Sequence, residues 1–303
     1  MKARRLTTES KRRIFQIAAA LGFNLDFLSL LRGNISQAGT KGLCVPALNC
    51  YSCPAAVGAC PVGALQNAMN SMRYNLSTGQ KKIGLYVVGS LGLMGTVAGR
   101  LPCGWLCPFG FLQELVHKLP LPKIQIPTFL TYLRYVILAF LVLLLPLLVV
   151  DSSGLGWPWF CKWVCPAGTL EAGVILSALN SAIRAQLGFL FAWKISLLVL
   201  FLIWMAVSMR PFCRTVCPLG TILGFFNRVS AFRMKVDLES CIVCDACQKT
   251  CPVNIKIYKN PDSSQCVRCL KCEQVCPTSC ISHGFGLQEK QQERSARAGA
   301  KIK

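Results

Sequence analysis

Histidine is nearly missing from this chain: 303 residues contain two, His117 and His283. A bis-histidine haem held inside a bilayer is therefore not expected. Acids are also scarce, with 12 Asp and Glu against 33 Lys and Arg, and no nucleophile–base constellation stands out. There is no G-x-G-x-x-G run, no P-loop and no flavin signature, so no nucleotide site is expected. Charged residues make up 15% of the chain, well under the roughly 25% of an ordinary soluble domain. The formal net charge of +21 does not indicate nucleic acid, because the basic residues flank apolar runs and no nucleic-acid module accompanies them.

What the chain has instead is apolar residues, at 53%, and 19 cysteines. The cysteines do not suit a secreted disulfide scaffold, which is short and lacks clustered C-x2-C and C-x3-C spacings. The densest stretch runs from Cys241 to Cys276. It contains C-x2-C-x2-C-x3-C-P twice, CIVCDACQKTCP and CVRCLKCEQVCP, the run of a bacterial two-cluster ferredoxin. In that pattern three close cysteines wrap one cubane and the fourth reaches the other. The expected ligands are Cys241, Cys244, Cys247 and Cys276 for one [4Fe–4S] cluster, and Cys266, Cys269, Cys272 and Cys251 for the second. Cys280 is left over as a free thiol or a substitute ligand.

The rest of the chain reads as membrane-embedded. Apolar runs at about 14–31, 83–101, 131–150 and 188–209 are expected as four spans. A basic N-terminal stretch with Lys2, Arg4, Arg5, Lys11, Arg12 and Arg13 places the N-terminus in the cytoplasm. Asp26 lies within the first apolar run. It is either a weak candidate for a quinone contact or the cap of a shorter helix.

Between the apolar runs stand the remaining cysteines. Cys44, Cys50, Cys53 and Cys60 occupy one loop, and C-x3-C-P pairs follow at Cys103/Cys107, Cys161/Cys165 and Cys213/Cys217. C-P-x-G begins at Cys60, Cys107, Cys165 and Cys217; Cys60 to Cys165 is 105 residues and Cys107 to Cys217 is 110. The membrane part thus reads as two similar halves. With four spans, the Cys103/Cys107 and Cys213/Cys217 pairs and the ferredoxin face the cytoplasm. The Cys44–Cys60 loop and the Cys161/Cys165 pair face outside. The cytoplasmic side then holds enough thiols for one more [4Fe–4S] cluster. Outside, two loop cysteines join Cys161 and Cys165, or the loop keeps a cluster of its own. Redox dithiols are the alternative use of the C-x3-C-P pairs.

CGWLCPFG at 103–110, CKWVCPAG at 161–168 and CRTVCPLG at 213–220, followed by the double ferredoxin run, resemble the membrane-bound [4Fe–4S] polyferredoxins of the NapH and NosR type; NCYSCP at 49–54 is similar to a variant of that family. The resemblance implies an electron carrier of the prokaryotic cytoplasmic membrane, working with other subunits of a respiratory or maturation redox complex and often with quinol. It implies two [4Fe–4S] clusters at the C-terminal cysteines and redox activity at the C-x3-C-P motifs. This chain departs from that pattern in its third C-x3-C-P pair and four-cysteine loop, and it lacks the large flavin domain of the NosR type.

The expected fold is an all-α, internally duplicated transmembrane domain over 1–235. A small α+β two-[4Fe–4S] ferredoxin domain over 236–285 and a polar, disordered tail over 286–303 complete it. The expected function is a membrane-anchored electron-transfer subunit rather than a stand-alone enzyme. A thiol–disulfide relay and a metal-centre assembly or sensing protein are the alternatives.

Overall fold

Each of the four C-P-x-G elements starts a helix, and the reason is local. Proline at the first helical position loses no hydrogen bond, because the first amides of a helix have no intrahelical partner. In the computed structural model, which describes residues 8–78, 84–152 and 155–286, Pro61, Pro108, Pro166 and Pro218 all occupy that position. The preceding cysteine is the N-cap. The sulfurs of Cys107, Cys165 and Cys217 accept the amides of Gly110, Gly168 and Gly220 at 3.4, 3.4 and 3.3 Å. C-P-x-G is therefore a capping unit that brings a sulfur to the positive end of a helix.

The chain begins with α1 (Thr8–Gly22) and α2 (Phe27–Leu31), crosses the cysteine loop, and continues as α3 (Pro61–Ser77), α4 (Leu85–Ala98), α5 (Leu101–Trp105) and α6 (Pro108–Val116). The second half repeats this order with α7 (Thr128–Leu148), α8 (Trp159–Trp163), α9 (Pro166–Leu179), α10 (Phe189–Val207), α11 (Pro211–Thr215) and α12 (Pro218–Phe225). A small C-terminal unit has β1 (Phe232–Val236) paired antiparallel with β2 (Ile281–Phe285), and α13 (Ala246–Lys249) and α14 (Lys271–Gln274) between them.

Two helices, α7 with 21 residues and α10 with 19, are long and apolar enough to cross a membrane. The 21 residues of α7 reach about 31 Å at 1.5 Å per residue, which matches a hydrocarbon core of about 30 Å. Their outer faces carry Phe140 and Phe189, 54% and 77% exposed, which suits lipid rather than water. Within α7, Leu138–Leu144 winds as π-helix just before Pro146.

The other two expected spans come out shorter. The run over 14–31 breaks after Gly22: Asn24 donates to the Ala20 carbonyl at 2.9 Å, and Asp26 caps α2 by accepting from the Ser29 amide at 3.0 Å and hydroxyl at 2.7 Å. The run over 83–101 is bounded by left-handed glycines, Gly84 at φ +66° and Gly99 at φ +54°. Its helix α4 has 14 residues, about 21 Å. Residue 83 and the polar tail beyond Gly286 lie outside the described residues.

The small C-terminal unit, the expected ferredoxin domain, is joined to one end of the bundle. Arg268, 1% exposed, donates to the Ala98 and Asn227 carbonyls at 3.0 and 2.8 Å. Asn227 donates to Ser263 and Cys266 at 2.8 and 2.9 Å. Arg100 donates to Ser264 and Gln265, and Trp105 to the Arg268 carbonyl. Gly104 lies so close to the Val267 carbonyl that a Cβ would overlap it. The first turn of α1 meets the same unit, with Glu9 3.6 Å from Lys271.

Candidate metal centres

In the ferredoxin unit both cysteine runs adopt one backbone pattern. Val243 and Asp245 in the first, and Arg268 and Leu270 in the second, are left-handed at φ between 50° and 61°. For a β-branched residue such as Val243 that conformation is costly. It turns successive amides inward, the concave arrangement that receives an anionic group. Two cavities result. One is lined by Cys241, Cys244, Cys247, Cys276 and Cys280. The other is lined by Cys251, Cys266, Cys269 and Cys272 with Val253, Ile255 and Ile257 around them. Cys247 borders both cavities.

Cys280 is buried, and its sulfur lies 3.3 Å from that of Cys276. Burial alone would raise Cys276, but hydrogen bonds from Cys280 and Thr278 outweigh it and bring it down to about 7. Burial pushes Cys280 up to about 12. Of the two thiols, Cys276 is the one whose surroundings favour the thiolate.

The membrane cysteines form two further sets of four. Cys103, Cys107, Cys213 and Cys217 are all buried, and their thiols lie within electrostatic range of one another. This inner set sits against the ferredoxin unit: Arg210 faces Cys107, Cys213 and Cys269 together. Cys50, Cys60, Cys161 and Cys165 form the outer set, again within range of one another. Leu48 joins the two sets, since its amide points at the Cys107 sulfur and it lies two residues before Cys50.

Cys44 and Cys53 were expected with the metal cysteines; Cys53 packs beside Cys50, donating its amide to the Cys50 carbonyl at 3.0 Å and sharing Lys41 as a neighbour. The Cys44 amide binds the Tyr86 hydroxyl and its backbone bridges to Ala59. The Cys53 sulfur lies 3.6 Å from Asn24 Oδ1. Asp26 is occupied as the cap of α2.

The two membrane sets share one plan. Each takes a C-P-x-G cysteine from each half, Cys60 with Cys165 and Cys107 with Cys217. In each, a glutamine six residues past the first-half cysteine donates to a second-half sulfur, Gln66 to Cys161 at 3.1 Å and Gln113 to Cys213 at 2.9 Å.

A family model described as "4Fe-4S binding domain" matches residues 83–127, 137–178 and 189–237, one C-x3-C-P pair in each stretch. An uncharacterized protein of Methanocaldococcus jannaschii is 31% identical over 71% of this chain and 83% of its own length. The chain belongs to the 4Fe-4S binding domain family. Two further relatives carry functional names. The putative electron transport protein YccM of Escherichia coli is 26% identical over 67% of this chain. The methylamine utilization ferredoxin-type protein MauN of Paracoccus denitrificans is 29% identical over 80% of it. The chain spans little more than half of YccM, 55%, and 74% of MauN. No solved structure matches.

The three matched repeats of this 4Fe-4S binding domain protein supply six of the eight membrane thiols; Cys50 and Cys60 lie before the first repeat. The sites fit the cluster. Among the described residues, no three His, Cys, Asp or Glu groups converge tightly enough for a single metal ion. The thiols of the two C-terminal runs instead line two cavities.

The surroundings also call for an anion. Arg100, Arg134, Arg210 and Arg268 are at most 2% exposed, and the Nε atoms of Arg100, Arg134, Arg214 and Arg268 have no partner among the described residues. A buried guanidinium without a countercharge is expensive. A cubane with four thiolates supplies one.

Sequence reading missed these arginines, the glutamines and Glu114. Glu114 is 3% exposed and pairs with both Arg12 at 2.6 Å and Arg210 at 2.7 Å. A signal was present: Arg100 and Arg210 each stand three residues before a C-x3-C-P pair, and Gln66 and Gln113 each six after a C-P cysteine. Structure gives it meaning through an exchange between halves. Arg100 donates to the Cys213 carbonyl, and Arg210 to the Cys103 carbonyl at 2.9 Å.

Proposed function

We propose that this chain is a membrane-anchored iron–sulfur electron-transfer subunit. It passes electrons between a quinone pool or membrane partner and a redox partner. The observation that carries this reading is the continuity of the four thiol sets. They run from the exposed Cys244 through the two ferredoxin cavities and the inner set to the outer set, with Cys247, Arg210 and Leu48 at the junctions.

In this reading Cys241, Cys244, Cys247 and Cys276 hold one [4Fe–4S] cluster, and Cys266, Cys269, Cys272 and Cys251 a second. The inner set holds a third, and the outer set of Cys50, Cys60, Cys161 and Cys165 a fourth. The clusters supply one-electron carriage; the protein supplies ligation, burial and spacing. Buried apolar side chains around the thiols exclude water, and the glutamine amides orient two sulfurs. Relatives named for electron transport and as ferredoxin-type support the assignment.

We place α7 and α10 across the cytoplasmic membrane, with α4 alongside as a shorter third helix. The ferredoxin unit shares one side with the start of α1, because Glu9 meets Lys271. That side is cytoplasmic in this reading, since residues 210–235 carry five Lys or Arg and no acid. The expected span over 14–31 is replaced by a helix that packs on α5 and α6 through the buried Arg12 and Gln16.

The test is iron and acid-labile sulfide per chain, on protein purified anaerobically in detergent. About 16 iron atoms, four per cubane, are expected. About 8 would leave only the ferredoxin clusters and favour dithiols at the C-x3-C-P pairs.

A further inference from the structure

The inner and outer sets share a plan but not their electrostatics. Around the inner set, Arg100 and Arg210 are fully buried and Arg214 is 7% exposed. Arg100 donates to the carbonyls of Ser264, Gln265 and Cys213. Arg214 follows Cys213 and also faces the Cys251 thiol, with its Nε unpartnered among the described residues. Arg134 faces Cys217. The one buried acid here, Glu114, is shared by Arg210 and Arg12.

The outer set has no such shell. The positions three before Cys50 and Cys161 are Ala47 and Pro158. Its nearby cations are Lys194, which donates to the Cys161 carbonyl at 3.3 Å, and Lys41, which faces Cys50. Opposite them Glu171 accepts the Cys50 amide at 2.6 Å. The contrast holds whatever the charge on Glu171.

Gaining an electron adds one negative charge to a thiolate-bound cluster. Buried cations stabilise that charge strongly, because little water screens them. Net charge and hydrogen bonds at the sulfurs set cluster potentials. The glutamine bonds are alike at the two sets, so the arginines are the difference.

We propose that Arg100 and Arg210, bound to the Cys213 and Cys103 carbonyls, hold the inner site at a higher midpoint potential than the outer site. At equilibrium an electron shared between the two then resides at the inner site, beside the ferredoxin unit. One electron leaves one site and arrives at the other, with no further reductant. The inference rests on the reading that both membrane sets hold a cluster.

The experiment is a potentiometric titration followed by electron paramagnetic resonance, on the full chain in lipid nanodiscs, with iron counted in every sample. Signals are assigned by their loss in Cys103→Ser (inner), Cys161→Ser (outer) and Cys251→Ser (second ferredoxin cluster). In the unaltered protein the inner signal titrates above the outer one. Arg100→Gln lowers the inner midpoint enough to change the reduced fraction about tenfold at fixed potential, about 59 mV for one electron. Arg100→Lys, which keeps the charge, restores most of it.

An outer signal titrating above the inner one overturns the proposal, and that ordering is readable even where an arginine variant loses iron. Full iron with an unmoved inner signal in Arg100→Gln overturns it too, as does an equal shift in Arg100→Lys. About 8 iron atoms in the unaltered protein would overturn the function proposed above as well.

Discussion

Glu114 shows how one side chain can hold distant segments together. Burial raises its carboxyl, but Arg210 and Arg12, with Lys271 further off, outweigh burial and hold it at about 2. The folded value lies below the ordinary 4.5, so this contribution to stability is complete above about pH 4.5 and disappears as the pH falls toward 2. Glu114→Gln should flatten that part of the pH dependence, measured as thermal unfolding by tryptophan fluorescence beside the unaltered protein. At pH 7 the same variant strands two buried guanidiniums and should cost about 3–5 kcal/mol. At this scale the ferredoxin ligand candidates were legible, because spacing alone groups Cys241 to Cys276. Glu114 was not: nothing local ties it to Arg12, 102 residues away.

At the scale of elements, the C-P-x-G helices were legible because proline and a capping sulfur act within four residues. The spans were legible only where the apolar run is unbroken, as in α7 and α10. Over 14–31 the sequence G-F-N-L-D carries a stop and a cap inside an apolar run, and over 83–101 two left-handed glycines clip the helix. Local backbone chemistry overrode hydropathy in both. The fit of α5 to the ferredoxin unit depends on the missing side chain at Gly104. Gly104→Ala should push the Val267 carbonyl away and loosen the joint. Hydrogen exchange at residues 263–268 should then quicken while exchange within α10 stays unchanged.

For the whole molecule, the duplication was visible as spacing, but the pairing of sets was not. Steps of 105 and 110 residues do not say that Cys50 rather than Cys44 or Cys53 completes the outer site. Cys50 is the choice proposed here because it lies within range of Cys60, Cys161 and Cys165, and sequence carries no direct record of such contacts. The arrangement predicts that Cys50→Ser lowers iron by about four atoms per chain, as one cubane is lost, while Cys44→Ser and Cys53→Ser leave iron content unchanged. The placement of the two ends predicts that a thiol-reactive probe that cannot cross membranes, applied to spheroplasts, labels a cysteine introduced at Leu155. The same probe should miss one introduced at Glu239.

Every four-thiol set draws on two separate stretches of chain, and both membrane sets draw on both halves. A ribosome that has delivered only the first half has made no complete site. Iron cannot be loaded into the inner set until Cys217 has emerged, nor into the outer set until Cys165 has. In the proposed reading, insertion at the two membrane sets follows assembly of the halves, and a chain whose halves fail to meet carries only the two C-terminal clusters. Its iron would stop at about 8 atoms per chain instead of about 16, so the iron count is a record of finished folding, readable before any activity is measured.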